Sequence, residues 1–380
     1  MHVLVVGGGI LGVTAARALR ARGHAVTVVD PGLPHPLAES TDISKVVRID
    51  YGRDEDYTAL GELALAGWRS PSWPGAPHFH ETGVTFLARV PLAGFERDSY
   101  EMLTRRGHPL VRLDADAIAA RFPAYKRGTY VDGYFNPIGG WAEASAVVRA
   151  VAHEITHAVS PTTIRAGRVE RVVDDGAIVD GVHVRADLVL VCAGSWVPLL
   201  VPELAPVLRA VGQPVFHLRP ADPTPFDAHH FPVFGADISR TGYYGFPVNR
   251  DGIVKVANHG TGTPLPAGEE RREVSPAQEA ALRAMLVDSF PALADAPIVH
   301  RRLCVYCDTF DEHFWIARHP TRPNLAVATG GSGHAFKFAP VLGELIATIA
   351  LGEPHPLAHK FRWRSELASP QGVEAARHHG

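Results

Sequence analysis

The stretch "HVLVVGGGILGVTAARALRARGHAVTVVD", residues 2 to 30, restricts what this chain can fold into more than any other. Val3 to Val6 reads as a short apolar strand, and Gly7-Gly8-Gly9-Ile10-Leu11-Gly12 fits G-x-G-x-x-G. Val13 to Arg22 reads as an amphipathic helix stopped by Gly23, and Ala25 to Val29 as a second strand ending at Asp30. In such a turn Gly7 permits the tight bend, Gly9 lets the backbone approach a pyrophosphate, and Gly12 lets the helix pack close to the strand. Ile10 and Leu11 sit where the helix begins, at free N–H groups and the positive end of its dipole. Asp30, about 20 residues past the glycines, is placed to accept hydrogen bonds from an adenosine ribose and would repel a 2′-phosphate, which disfavours NADP. FAD and NAD both remain open on these residues.

Two later segments extend the same sheet. "RADLVLVCAGSW", residues 185 to 196, is an unbroken apolar run leading into Ala193-Gly194 and Trp196, as expected of a parallel strand buried on both faces. Cys192 within it reads as a small buried apolar side chain. "NLAVATGGSGHAFKFAPVLGELIATIALG", residues 324 to 352, repeats the pattern as strand, glycine loop (Gly331, Gly333, His334) and a helix from about Pro340 to Leu351. Between these pieces lie shorter β-like runs such as "GVTFLARV", "GYYGFPV" and "GIVKVANH", punctuated by Pro and Gly. The expectation is an α/β (α+β two-domain) fold, with a Rossmann-like dinucleotide domain from residues 1–77, 141–211 and 301–370. A mixed β-sheet substrate domain, residues 78–140 and 212–300, is inserted into it, and residues 371–380 form a flexible tail.

Composition narrows the function classes. An apolar fraction of 46%, a charged fraction of 20% and a net charge of −3 over 380 residues describe a globular protein without the electrostatic footprint of a nucleic-acid or membrane binder. Three cysteines make no disulfide framework, and "MHVLVVGGG" enters a strand without a secretory pattern, so a cytoplasmic protein is expected, with monomer as the default.

Cys304 and Cys307, in "RRLCVYCDTFDEHFWI", have the spacing of a zinc knuckle or a redox dithiol, and His313 and His319 would complete four metal ligands. The segment reads as a strand, however, where residues three apart point to opposite faces, and no metal is expected. Period two puts Cys304 and Tyr306 on one face, positioned to meet a cofactor, with Cys307 turned into the protein. In "GIVKVANH" the same alternation puts Ile253, Lys255, Ala257 and His259 on one face. A buried lysine there suggests function; a half-exposed edge strand with the lysine in water fits equally. The glycine loop with Lys337 nearby suits an oxyanion or merely caps a strand. Lys45 and Arg48, in "STDISKVVRIDYG", are by composition ordinary solvated charges.

Taken together, "GGGILG…VVD", "DLVLVCAGSW", "YYGFP", "GIVKVANH", "CVYCDTFDEHF" and "GGSGHAFKFAP" resemble, in order and approximate spacing, the flavin amine oxidases of the monomeric sarcosine oxidase type. That group includes N-methyltryptophan oxidase, pipecolate oxidase and the fructosyl-amino-acid oxidases. The C-x-Y…D-E-H-F block followed by G-H-x-F-K-F is its most specific mark. The resemblance implies FAD, tethered through a thioether from Cys304, and oxidation of a secondary amine with a carboxylate to an imine that hydrolyses. It implies hydride transfer to flavin N5 and reoxidation by O2 to H2O2, with Lys255 promoting the oxygen step and His259 beside it. Arg48 and Lys337 match the pair that holds the carboxylate, and Tyr244 a tyrosine of the substrate pocket. Ser44, Lys45, Val169 and Tyr306 fall at flavin-binding positions, and a lysine near the flavin, Lys45 or Lys337, would favour the unprotonated amine. Thr41, Ser44 and Lys45 depart from sarcosine oxidase, and D-x-[SN] before the lysine resembles the fructosyl-amino-acid and saccharopine oxidase branch. A dehydrogenase passing electrons to a protein or quinone, and a non-catalytic flavin-binding protein, are the alternatives.

Overall fold

The computed structural model describes residues 1–160 and 162–364; the expected flexible tail lies outside the described residues. Strands covered on both faces have no solvent side to keep polar, and the unbroken Val/Leu/Ala runs accordingly form the centre of one sheet. His2–Val6 lies in the middle, parallel to Ala25–Asp30 on one side and Leu188–Val191 on the other. Thr163–Ala166 and Leu325–Thr329 extend the sheet in parallel, and Trp315–Arg318 closes one edge antiparallel, making six strands. Val3, Leu4, Val5, Val189, Leu190 and Val191 have no exposed surface.

The helices Ile10–Ala21 and Ala339–Ala350 cover one face of this sheet. They touch so closely that a Cβ added to Gly343 would stand 2.2 Å from the carbonyl oxygen of Thr14. The first helix begins at Ile10, earlier than the apolar period suggests, because Gly12 is itself helical. A Cβ there would lie 1.9 Å from the carbonyl oxygen of Gly7, so no larger residue fits between helix and strand. A three-stranded meander, Val169–Val173, Gly176–Val179 and Val182–Arg185, packs against the opposite face.

Nine strands form the second sheet. Ile298–Thr309 lies at its edge, followed inward by Leu208–Leu218, Val254–Asn258, Tyr243–Phe246, Val233–Ala236, Val84–Ala88, Asp132–Asn136 and Val111–Asp114, with the short Thr263–Leu265 also on Leu208–Leu218. Two placements differ from the sequence reading. The Cys304 strand, grouped with the first sheet by position, is hydrogen-bonded along nearly its whole length to Leu208–Leu218, a ladder the first sheet cannot offer once Trp315–Arg318 occupies its edge. Val254–Asn258 is interior, flanked on both sides, so Lys255 does not sit on a solvated edge. A small sheet of Lys45–Val47, Gly140–Ala142 and Phe79–His80 carries Lys45 and Arg48 into the space between the two large sheets. Among the described residues no helix is long and apolar enough to cross a membrane.

Candidate active site

A cavity of about 580 Å³ opens where the parallel strands of the first sheet end, within the size range of small-molecule and cofactor sites. Gly7, at φ +102°, turns the chain there, and a Cβ on it would lie 2.6 Å from the carbonyl oxygen of Cys192. Above Gly9 the space is open apart from Ser40 Oγ, 3.3 Å from the site of a Cβ, so its backbone faces the cavity. The N–H of Ile10 donates to Ser40 Oγ at 2.9 Å, and Ile10 and Leu11 both line the wall. Asp30 accepts from the N–H groups of Gly8 (2.6 Å) and Gly32 (2.9 Å); burial raises its pKa, and these two bonds pull it back. Val169, Ala193, Gly194, Trp196, Gly331 and Gly333 complete the sequence-predicted part of the wall. Glycine turn, helix start, terminal acid and glycine-lined far end fit the pyrophosphate, ribose and ring system of an adenine dinucleotide.

Lys45, Gly333 and Phe336 also line a second, smaller cavity of about 60 Å³. Six further predicted residues converge on it: Arg48, Tyr244, His259, Tyr306, His334 and Lys337. Arg48 donates from Nη1 to the carbonyl oxygen of Asp50, and its guanidinium carbon stands 5.0 Å from the ring centre of Tyr51 and 5.4 Å from that of Phe95. The fork is thus held in direction while remaining charged. Asp50 is fully buried and accepts from Tyr134 Oη (2.8 Å) and Asn136 Nδ2 (3.3 Å); burial raises its pKa against the pull of Arg48.

Lys337 lies in the single turn Phe336–Phe338 that precedes the last long helix, and Nζ donates to Tyr51 Oη (2.9 Å) and the His334 carbonyl (3.1 Å). The loop before it is fixed by packing: Gly333 has φ +75°, and a Cβ there would meet the Tyr306 ring at 2.3 Å. Burial pushes the Tyr244 hydroxyl up to about 12, with Lys45 drawing it the other way. His259 Nδ1 stands 3.5 Å from Tyr306 Oη. Phe86, Phe234 and Ile238 close the apolar side.

Gly12, Ser44, Lys255 and Cys304 line neither cavity. Gly12 serves helix packing, and the other three form a layer behind Lys45. Lys45 Nζ is 3.7 Å from Cys304 Sγ, while Lys255 Nζ donates to Asp42 Oδ2 (2.7 Å) and to the Ser44 carbonyl (2.6 Å). Lys255 and Cys304 thus stand behind Lys45 rather than on the wall of either cavity. A buried ammonium needs compensating partners, and Asp42 with the Ser44 carbonyl holds it back from the wall. Burial lowers the Lys255 pKa to about 8 despite Asp42. Asp42 itself is held well below the usual carboxylate range: Lys255, His217, Lys45 and Arg302 outweigh its burial.

Cys304 and Cys307 do lie on opposite faces of a continuous strand, Cys304 packed with Val215, Ala257 and Tyr306, Cys307 with the first sheet. Cys307 also flanks the large cavity, with Sγ 3.3 Å from Thr329 Oγ1, which corrects its expected seclusion; burial pushes its thiol up to about 11. Asp42 and Asp50 were missed by sequence reasoning. Their only local signal is an acid three residues before Lys45 and another two after Arg48.

Residues 2–349 match the family model described as DAO, FAD dependent oxidoreductase. The chain belongs to that family. It is an enzyme, an FAD-dependent oxidoreductase, and the resemblance read from its motifs stands. The N-methyl-L-tryptophan oxidase of Salmonella newport (strain SL254) is 29% identical over 368 residues, 92% of this chain and 95% of that one. Amadoriase II of Aspergillus fumigatus, solved as a fructosamine oxidase, superposes with a TM-score of 0.83 at 24% identity over 98% of this chain and 91% of its own. The fructosyl peptide oxidase of E. terrenum gives 0.84 at 23% over 99% and 95%. At those identities the structures establish the shared two-domain FAD fold.

Proposed function

We propose that this enzyme oxidises a compact secondary amine bearing a carboxylate, an N-methyl or cyclic amino acid, and passes the electrons to O2. One observation carries the reading: a dinucleotide-shaped cavity and a small cation-lined pocket share Lys45, Gly333 and Phe336 as a common wall. FAD bound in the larger cavity supplies the hydride acceptor and, through O2, the route to H2O2. Arg48, fixed by Asp50 and three rings, offers a two-pronged donor to the carboxylate, and Lys337 adds a second positive group. Lys45 disfavours a protonated substrate nitrogen by like-charge repulsion, leaving its lone pair free to assist hydride loss. Phe86, Phe234 and Tyr244 exclude water and orient the α-carbon. Lys45 Nζ, 3.7 Å from Cys304 Sγ, places a cation beside the sulfur from which a thioether tether to the flavin would form.

Size supports a compact substrate. At about 60 Å³ the small pocket has about a tenth of the volume of the 580 Å³ cavity beside it. An indole or a sugar attached to nitrogen needs more. The test is an anaerobic screen of secondary amino acids followed by flavin absorbance. Bleaching by N-methylglycine or a cyclic imino acid, with peroxide on admission of air, supports the reading; no bleaching by any secondary amine defeats it.

A further inference from the structure

We propose that the inner face of the nine-stranded sheet carries a proton path from solvent to Lys255 through His300, His217 and Asp42. The inference rests on the oxidase reading above and extends it. Register brings the groups together: His300, His217 and Lys255 are directly opposed on three neighbouring strands, so their side chains stand in a row on one face. The row runs inward from the sheet edge. His300 is exposed, His217 is 8% exposed, and the side chains of Asp42 and Lys255 are 1% exposed. The two imidazole centres lie 4.9 Å apart, His217 Nε2 is 3.5 Å from Asp42 Oδ1, and Asp42 Oδ2 accepts from Lys255 Nζ at 2.7 Å.

A counter-ion for Lys255 requires Asp42 alone. Two histidines aligned behind that carboxylate, on consecutive strands leading to water, supply something an ion pair does not need: rings that can accept a proton at one nitrogen and pass one on from the other. The proton count gives them work. Reduction of O2 to H2O2 takes two electrons and two protons; both electrons and one proton arrive with the hydride removed from the amine. The second is balanced by the proton the substrate nitrogen loses as the imine forms, but that proton leaves on the substrate side, so the oxygen draws its own from solvent. The incoming proton passes from water to His300, to His217, to Asp42 Oδ1, and, after the carboxyl turns about its Cβ–Cγ bond, from the other oxygen to Lys255, which, standing a layer behind the cavity wall, has passed its own proton to the nascent peroxide through an intervening water.

Among the described residues, the other charged or titratable groups facing the row are Lys45 and Arg302, both cationic, and the Cys304 thiol. Arg302 is pinned to the carbonyls of Thr41 and Ala38. Burial, His217 and Arg302 together keep the His300 pKa low, which favours forward delivery over storage of the proton.

The test uses the holoenzyme. In stopped flow, His217→Gln is expected to slow reoxidation by O2 about tenfold or more, with the loss confined to that half of the cycle and relieved by added imidazole. His300→Gln, a surface change, covers the case in which the first variant folds poorly, and is expected to show a smaller loss with the same rescue. Independently of turnover, NMR titration of 13C-labelled histidines should show the His217 midpoint displaced in Lys255→Met. Unchanged reoxidation, slowing that imidazole does not relieve, or an unmoved His217 midpoint would each overturn the path. If no amine bleaches the flavin, the oxidase reading fails, while the titration still decides whether the row is coupled.

Discussion

Replacing Asp42 by Asn removes the carboxylate opposite a lysine with 1% of its surface exposed. In the native protein burial lowers the Lys255 pKa to about 8, with Asp42 as the main force in the other direction. Two unit charges about 4 Å apart at an effective dielectric constant of about 20 attract by about 4 kcal/mol, equivalent to about three pKa units. Lys255 in the variant then titrates well below its native value and is neutral at pH 7. A lysine whose folded pKa is depressed binds fewer protons in the folded than in the unfolded state between the two values, so stability rises with pH across that window. In the native protein the window opens only above about pH 8; in Asp42→Asn it opens about three units lower. Asp42 adds no slope of its own above pH 5, because its pKa lies well below the usual carboxylate range.

Between about pH 6 and about pH 8 the variant should therefore gain about 2.7 kcal/mol relative to the native protein, at about 1.4 kcal/mol per unit. That gain is superimposed on a loss of about 3–5 kcal/mol at neutral pH from breaking a buried pair. Urea unfolding of both proteins at several pH values, followed by tryptophan fluorescence, measures the difference. Parallel stability curves for the two proteins would refute the placement of Lys255 as a charged, buried partner of Asp42.

Further outcomes follow from the geometry of the two cavities. Gly12→Ala forces a Cβ to within 1.9 Å of the Gly7 carbonyl oxygen, and is expected to cost about 1–3 kcal/mol and lower the flavin content per chain, read from the visible spectrum. Cys304→Ser should release the flavin into the supernatant on acid precipitation, whereas the native protein retains it; equal release from both removes the tether. Phe234→Ala, at a position 1% exposed, is expected to lose about 3–5 kcal/mol of stability and to widen the small pocket. Its kcat/KM for bulkier N-substituted amino acids should rise relative to N-methylglycine, and an unchanged ratio would mean that Phe234 does not set substrate size.

The parts of the site that were legible in the sequence are those whose signal is local. Turn, helix start and acid occur within 30 residues, and period two alone separates Cys304 and Tyr306 from Cys307. The convergence of Lys45, Arg48, Tyr244 and Lys337 was legible only through motif resemblance, since by composition Lys45 and Arg48 read as ordinary solvated charges. Illegible were the contacts that decide how these groups behave. Asp42 and Lys255 are 213 residues apart, Lys45 and Cys304 are 259 apart, and Asp50 meets Tyr134 across 84. No periodicity spans such separations.

The amino-acid order by itself determined that a dinucleotide turn opens the chain, that long apolar strands lie buried on both faces, and which faces of the later strands hold Lys255 and Cys304. Only the tertiary structure decided that Val254–Asn258 is interior, that the Cys304 strand pairs in the second sheet, and that Lys255 is held a layer behind the cavity wall. Side-chain direction follows from bonds between adjacent residues, whereas burial, pairing and the local field depend on which distant strands the chain brings together.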